Sequence, residues 1–143
     1  MLNPLRTLGC AISLAAVVGL AGMEAAIGDP KGWNKVYTDK QSNLTYHLDR
    51  GTIKGTGRYR YFWLFMNEGR GRPLGSSKNG KAIHGVLVYL SVDCQNRAAR
   101  IRSTEIYDRD NQRVEGVNDG DAGVPVVVLQ NQTGTAIMRA ACR

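Results

Sequence analysis

The stretch Gly85–Cys94 (GVLVYLSVDC) sets Val86, Val88, Leu90 and Val92 against Leu87, Tyr89, Ser91 and Asp93. This is a period-two alternation, which an extended strand satisfies and a helix does not. A chain holding such a strand must pair both of its edges and cover at least one of its faces. The neighbouring segments supply the partners. Gln95-Asn96 is a tight turn, and Arg97–Asp108 then alternates Ala99, Ile101 and Tyr107 with Arg100, Arg102 and Thr104, so the two runs form a hairpin. Asn43–Asp49 alternates Leu44, Tyr46 and Leu48 with Thr45, His47 and Asp49, and Trp33–Thr38 has the aromatic and β-branched content of a first strand. Arg58–Met66 (RYRYFWLFM) alternates Arg58 and Arg60 with Tyr59 and Tyr61, then turns apolar on both faces from Phe62 onward. That is the pattern of a central strand covered on both sides at one end, and its rings read mainly as core.

The segments between and after these runs complete the outline. Residues 67–84 are rich in Gly, Ser and basic side chains and read as a long mobile loop. Arg113–Val117 reads as a short edge strand, Asn118–Gly123 as a polar loop and Pro125–Leu129 as strand-like. Thr133 is placed to cap a last helix whose inward face carries Ile137, Met138, Ala141 and Cys142 at three- and four-residue spacing. The expected fold is α+β: an antiparallel sheet of about six strands with a C-terminal helix packed on one face.

Ahead of this domain, Arg6 precedes the small and apolar stretch Leu8–Met23, and Glu24-Ala25-Ala26 follows before the chain turns polar. Charge, apolar run and small residues in that order make residues 1–25 a secretory signal of bacterial type, leaving residues 26–143 as one domain after a Gly/Pro lead-in at 27–32. With the signal removed, the expectation is an exported protein of the periplasm, cell surface or medium with no membrane span. Cys10 lies before the apolar stretch, so the segment that a lipoprotein signal requires ahead of its cysteine is missing. The mature chain keeps the net charge of +7, because Arg6 and Glu24 leave together. It also keeps two cysteines, Cys94 and Cys142. In an oxidising compartment these read as a disulfide, the alternative being two buried thiols.

Several elements taken in order resemble the surface-adhesin protein E family. They are Trp33, Tyr46-His-Leu-Asp49 with Gly51-Thr-Ile53, Gly57 with Phe62-Trp63, Ser91-Val-Asp-Cys94, Arg102-Ser-Thr-Glu-Ile-Tyr107 and Ala141-Cys142. The resemblance spans residues 33–142 and carries over, residue by residue, only the two cysteines. It implies an exported α+β domain, sometimes surface-displayed and dimeric, which in the namesake binds host extracellular-matrix and serum proteins. The namesake is a lipoprotein, and the unusable position of Cys10 is a departure from it.

The basic balance directs attention to anionic partners. If the Arg58/Arg60 strand lies near the Arg100/Arg102 strand, four guanidiniums share a sheet face, and Arg70, Arg72, Lys78 and Lys81 on the long loop extend that stripe; the plain alternative is a solvated charged surface. The expected partner is a protein or an anionic polymer at the envelope or outside the cell, or a second copy of the chain. The RYRYFW run has the interleaving of a single-strand nucleic-acid platform, but export argues against nucleic acid. His47 with Asp49 sketches a weak hydrolase site, and ordinary surface imidazoles explain His47 and His84 equally. No cofactor motif or metal-ligand spacing is present, and Asn118–Asp121 reads as a polar turn rather than a calcium loop. The leading expectation is a non-enzymatic exported binding protein; a periplasmic structural or assembly protein comes second and a hydrolase third.

Overall fold

A computed structural model describes residues 33–126 and 130–143. The signal segment 1–25, the lead-in at 27–32 and the strand-like residues 127–129 lie outside the described residues. The described residues form nine strands, a 3-10 turn at Arg50–Thr52 after the second strand, and one α-helix: β1 (Trp33–Thr38), β2 (Leu44–Asp49), β3 (Tyr59–Glu68), β4 (Gly75–Ser76), β5 (Ala82–Ile83), β6 (Gly85–Asp93), β7 (Ala98–Tyr107), β8 (Arg113–Asn118), β9 (Val124–Val126) and α1 (Gln132–Ala141). The main sheet runs β1-β2-β3-β6-β7-β8, every pairing antiparallel, and β9 takes the part of the β7 edge that β8 leaves open. The expected α+β architecture is therefore observed, with seven strands in the sheet and the helix last in the chain. Among the described residues no helix is long and apolar enough to cross a membrane.

The register assigns the two faces. Leu48 pairs with Leu64, Leu64 with Val88, Phe62 with Leu90, Leu90 with Ile101, and Val92 with Ala99. Antiparallel partners project to the same side, so these residues share one face, and α1 covers it with Ile137, Met138 and Ala141. Leu48 and Phe62 are fully buried beneath it. The residues between them in sequence, Tyr59, Tyr61, Trp63 and Phe65, face the opposite way beside Asp93, Ser91, Tyr89 and Leu87. Of the rings in the RYRYFW run, only Phe62 belongs to the covered core; Tyr59 is 48% exposed and Tyr61 and Trp63 are half-buried.

Three local expectations are corrected. Asn131, not Thr133, caps the helix, its Oδ1 accepting the Gly134 amide at 2.8 Å; Thr133 is inside the first turn and buried. Residues 67–84 are not one loop: β3 continues to Glu68, and β4 and β5 form a small hairpin of their own. In β7 the alternation breaks at a bulge, since Tyr89 pairs with Ser103 but Leu90 pairs with Ile101, leaving Arg102 as an extra residue. The slip moves Thr104 and Ile106 onto the face of Ala99 and Ile101, and sends Tyr107 to the other side opposite Gly85. A Cβ at Gly85 would stand 2.6 Å from the Phe65 ring, so the close approach of that ring requires glycine there.

Cys94 and Cys142 are disulfide-bonded. The bridge joins the end of β6 to the C-cap of α1 across 48 residues of sequence. Tyr37 Oη donates to Gln132 Oε1 at 3.0 Å, so the helix is tied at its first residue as well as at its C-cap. Replacing both cysteines by serine is expected to lower stability by about 2–4 kcal/mol, read from urea unfolding of the oxidised and serine proteins. Phe62→Ala is expected to lose about 3–5 kcal/mol in the same assay. A loss under about 1 kcal/mol for either would mean that the helix is held by other contacts.

Candidate functional site

Asp93 organises the start of β3 and the β6–β7 turn together. Its Oδ1 accepts the amides of Gln95 and Asn96 at 3.0 and 3.1 Å, and its Oδ2 accepts Arg58 Nε and Nη2 at 2.7 and 2.5 Å. The Arg58 bonds, helped by the two turn amides and opposed by desolvation, hold the Asp93 carboxyl down at about 2. Arg97 closes the turn at a φ of 54°, and its Nη2 reaches Thr135 Oγ1 on the helix at 2.7 Å.

On the face turned away from α1, two arginines of β7 reach the segment that leaves β8. Arg100 Nη1 donates to the carbonyls of Ala122 and Gly123 at 2.6 and 3.2 Å. Arg102 donates from Nε to Ser91 Oγ at 3.0 Å and from Nη1 to the Asp121 carbonyl, with the exposed Asp121 carboxylate 3.5 Å away. The Arg102 carbonyl in turn accepts the Asp119 amide at 2.8 Å. Gly123 completes the fit: it has a φ of 58°, and a Cβ there would meet the Ile101 carbonyl at 2.9 Å. The polar turn 119–123 is thereby drawn against β7 between β8 and β9.

The result is a cleft of about 550 Å³ between Tyr59 and Tyr61 on one side and Arg100, Arg102 and the 121–126 segment on the other. A second depression of about 620 Å³ shares Tyr61, Arg102 and Asp121 with it and adds Trp63, Tyr89 and Glu105. Aromatic rings and guanidiniums are layered along this floor. Arg58 lies over the Tyr59 ring at 5.4 Å, Arg102 over Tyr61 at 5.7 Å, and the Trp63 and Tyr89 rings are 5.0 Å apart.

The sequence candidates divide into separate groups. Arg100 and Arg102 line the cleft, and Arg58 stands behind its Tyr59 end, paired with Asp93. Arg60 does not join them: it pairs with Val92 on the helix side of the sheet, and its Nη1 donates to the carbonyls of Gly57 and Tyr59 at 2.8 and 3.0 Å. Arg70, Arg72, Lys78 and Lys81 follow the far end of β3, about 30 Å from Tyr59 along a ten-residue strand. There the buried Glu68 carboxylate accepts the Arg70 and Arg72 amides at 2.8 and 3.0 Å and pairs with the Arg72 guanidinium at 3.0 Å. These contacts depress its pKa, the Arg72 amide most. Lys78 pairs with Glu115 of β8 at 3.2 Å, while the exposed Arg70 and Lys81 have no ion pair among the described residues. His47 packs beside Phe65 at 6.1 Å between ring centroids, and the Asp49 carboxylate accepts the Gly51 amide at 2.9 Å. His84 precedes β6 and donates its amide to the Tyr107 carbonyl at 2.8 Å.

The half-exposed Tyr61, Trp63 and Tyr89 are the site residues that sequence reasoning missed. Their alternation with Phe62, Leu64 and Leu90 was the available signal, because a strand with one covered face must turn its other residues away from the cover. The family described as Surface-adhesin protein E matches residues 33–143. Among curated proteins and among solved structures, nothing matches the chain.

Because Asp93 titrates near 3.8 when unfolded and about 2 when folded, its contribution is full above pH ~4 and is lost as the pH falls through ~2. Arg58→Gln is expected to be less stable than the parent at neutral pH and to lose less on acidification, seen as converging thermal midpoints between about pH 5 and pH 2. Parallel midpoints across that window would show that the pair does not govern acid stability.

Proposed function

Because the chain belongs to the surface-adhesin protein E family, we propose that it is an exported, non-enzymatic binding protein that engages a protein or an anionic polymer at the cell envelope or outside the cell. The observation that carries this reading is the family match across the whole described domain. Residues 1–25 fit the reading as a cleaved signal, and residues 26–143 as the mature domain. The net charge of +7 supports an acidic partner surface, and a second copy of the chain is a further partner that the reading includes.

Two basic regions are available for contact. The cleft arginines already hold carbonyls and carboxylates of their own chain. The exposed Arg70 and Lys81 carry charge with less internal commitment, which makes the 69–84 excursion the first place for a macromolecular partner to dock. Electrostatic contacts of that kind weaken as salt is raised.

Residues 26–143 are expected to bind a surface coated with basement-membrane extract in a salt-dependent manner, and Arg70→Ser with Lys81→Ser is expected to reduce capture several-fold. Cells carrying the full chain should display it to external protease and adhere to the same surface better than cells lacking it. A protein that is protected on intact cells and makes no difference to adhesion would replace this reading with a structural role inside the envelope.

A further inference from the structure

The cleft floor is built for side-chain recognition. Its strands, β3, β6 and β7, are paired on both edges, so an extended peptide cannot add to them through its backbone. What they offer instead is the half-buried Trp63 and Tyr89 rings, tilted at 37° with centroids 5.0 Å apart, and Tyr61 under the Arg102 guanidinium. Ring faces of this kind accept a flat, weakly polar surface with polar groups at its rim, which is what the C–H face and equatorial hydroxyls of a pyranose present. Residues two apart on a strand, such as Tyr61 and Trp63, are spaced about 6.6 Å, on the scale of one sugar unit.

Charge along the cleft is uneven. At the Tyr59 end Arg58 is satisfied by Asp93, while the exposed Arg100 donates from Nη1 to carbonyls alone and has no carboxylate partner among the described residues. Asp121 lines both depressions and pairs with Arg102, and at the Trp63 end Glu105 adds a second carboxylate, which accepts the Tyr107 hydroxyl at 2.5 Å. A densely sulfated chain would meet these two carboxylates over the rings. A ligand with one acidic unit and neutral neighbours places its charge at Arg100, the cleft guanidinium without a carboxylate partner, and none beside Glu105.

We propose that this cleft binds an acidic oligosaccharide, with neutral sugar rings over Trp63 and Tyr89 and a single carboxylate at the Arg100 guanidinium. The assignment rests on the binding-protein reading above and adds to it a ligand class and a site distant from Arg70 and Lys81. Guanidinium suits the role because it pairs with carboxylate through two parallel N–H groups and sheds water more readily than an ammonium. Arg100 is a binding residue here, and the rings select for sugar.

The chain has two tryptophans, Trp33 and Trp63, which gives a test on the unaltered protein. Titrating residues 26–143 with sialyllactose is expected to shift the Trp63 indole N–H resonance while the Trp33 resonance, on the opposite edge strand, stays in place. Lactose should produce the same pattern at least tenfold more weakly. Arg100→Gln is expected to erase most of that preference, and Trp63→Ala to weaken binding of both sugars. A Trp63 signal unmoved by either sugar overturns the assignment, as does a heparin hexasaccharide that outcompetes sialyllactose at this resonance. Should Trp63 stay silent while basement-membrane capture persists, the glycan site fails and the binding-protein reading stands. Should Trp63 respond while capture is absent, the reverse holds.

Discussion

A ten-residue helix is marginal on its own in water, yet the core of this domain is the surface that one such helix covers. Phe62, Leu48 and Val92 are sealed with Ile137, Met138 and Ala141 of the helix in one buried cluster. The chain secures the helix at both ends, through Tyr37 and the Asn131 cap at its start and the Cys94–Cys142 bridge at its finish. The bridge leaves the sheet one residue after Asp93, so the carboxylate that orders the β6–β7 turn also orders the anchor point of the helix. Covalent closure, turn geometry and the Arg58 pair thus converge on one corner.

With the only described helix committed to one face, the other face of the sheet is covered by side chains and by the returning 119–123 turn. This is why tyrosines and a tryptophan stand half-exposed there. Arg100 and Arg102, two apart on β7, both turn to this face, and the hydrogen bonds they donate to the Ala122, Gly123 and Asp121 carbonyls hold the turn. The bulge at Arg102 acts on the residues that follow: a regular β7 would have placed Ser103 and Glu105, not Thr104 and Ile106, on the core side.

The separation of tasks fits a family of surface adhesins. Stability resides in the helix-covered face and its bridge, while the basic excursion after β3 and the aromatic cleft lie at opposite ends of the uncovered structure. Changes in either region leave the buried layer intact, because neither Arg70 and Lys81 nor the Trp63 and Tyr89 rings belong to it.

The fold was legible in the residues because its information is local. Period-two alternation in β2 and β6 needs no partner to be recognised, nor does the three- and four-residue spacing of Ile137, Met138 and Ala141, and two cysteines admit one intramolecular pairing. The family was readable for a similar reason, since short elements in a fixed order survive without their contacts. The site was much less so. Whether Arg60 would join Arg100 depended on strand parity across three paired strands, and whether 67–84 would be one loop depended on the Glu68 carboxylate gathering the amides that follow it. The Ser103 and Glu105 lining of the second depression depended on a one-residue slip at Arg102. Composition and periodicity determined that a basic, one-sided sheet would form; only the tertiary structure decided which charges meet, because register and bulges are fixed by contacts between residues far apart in the chain.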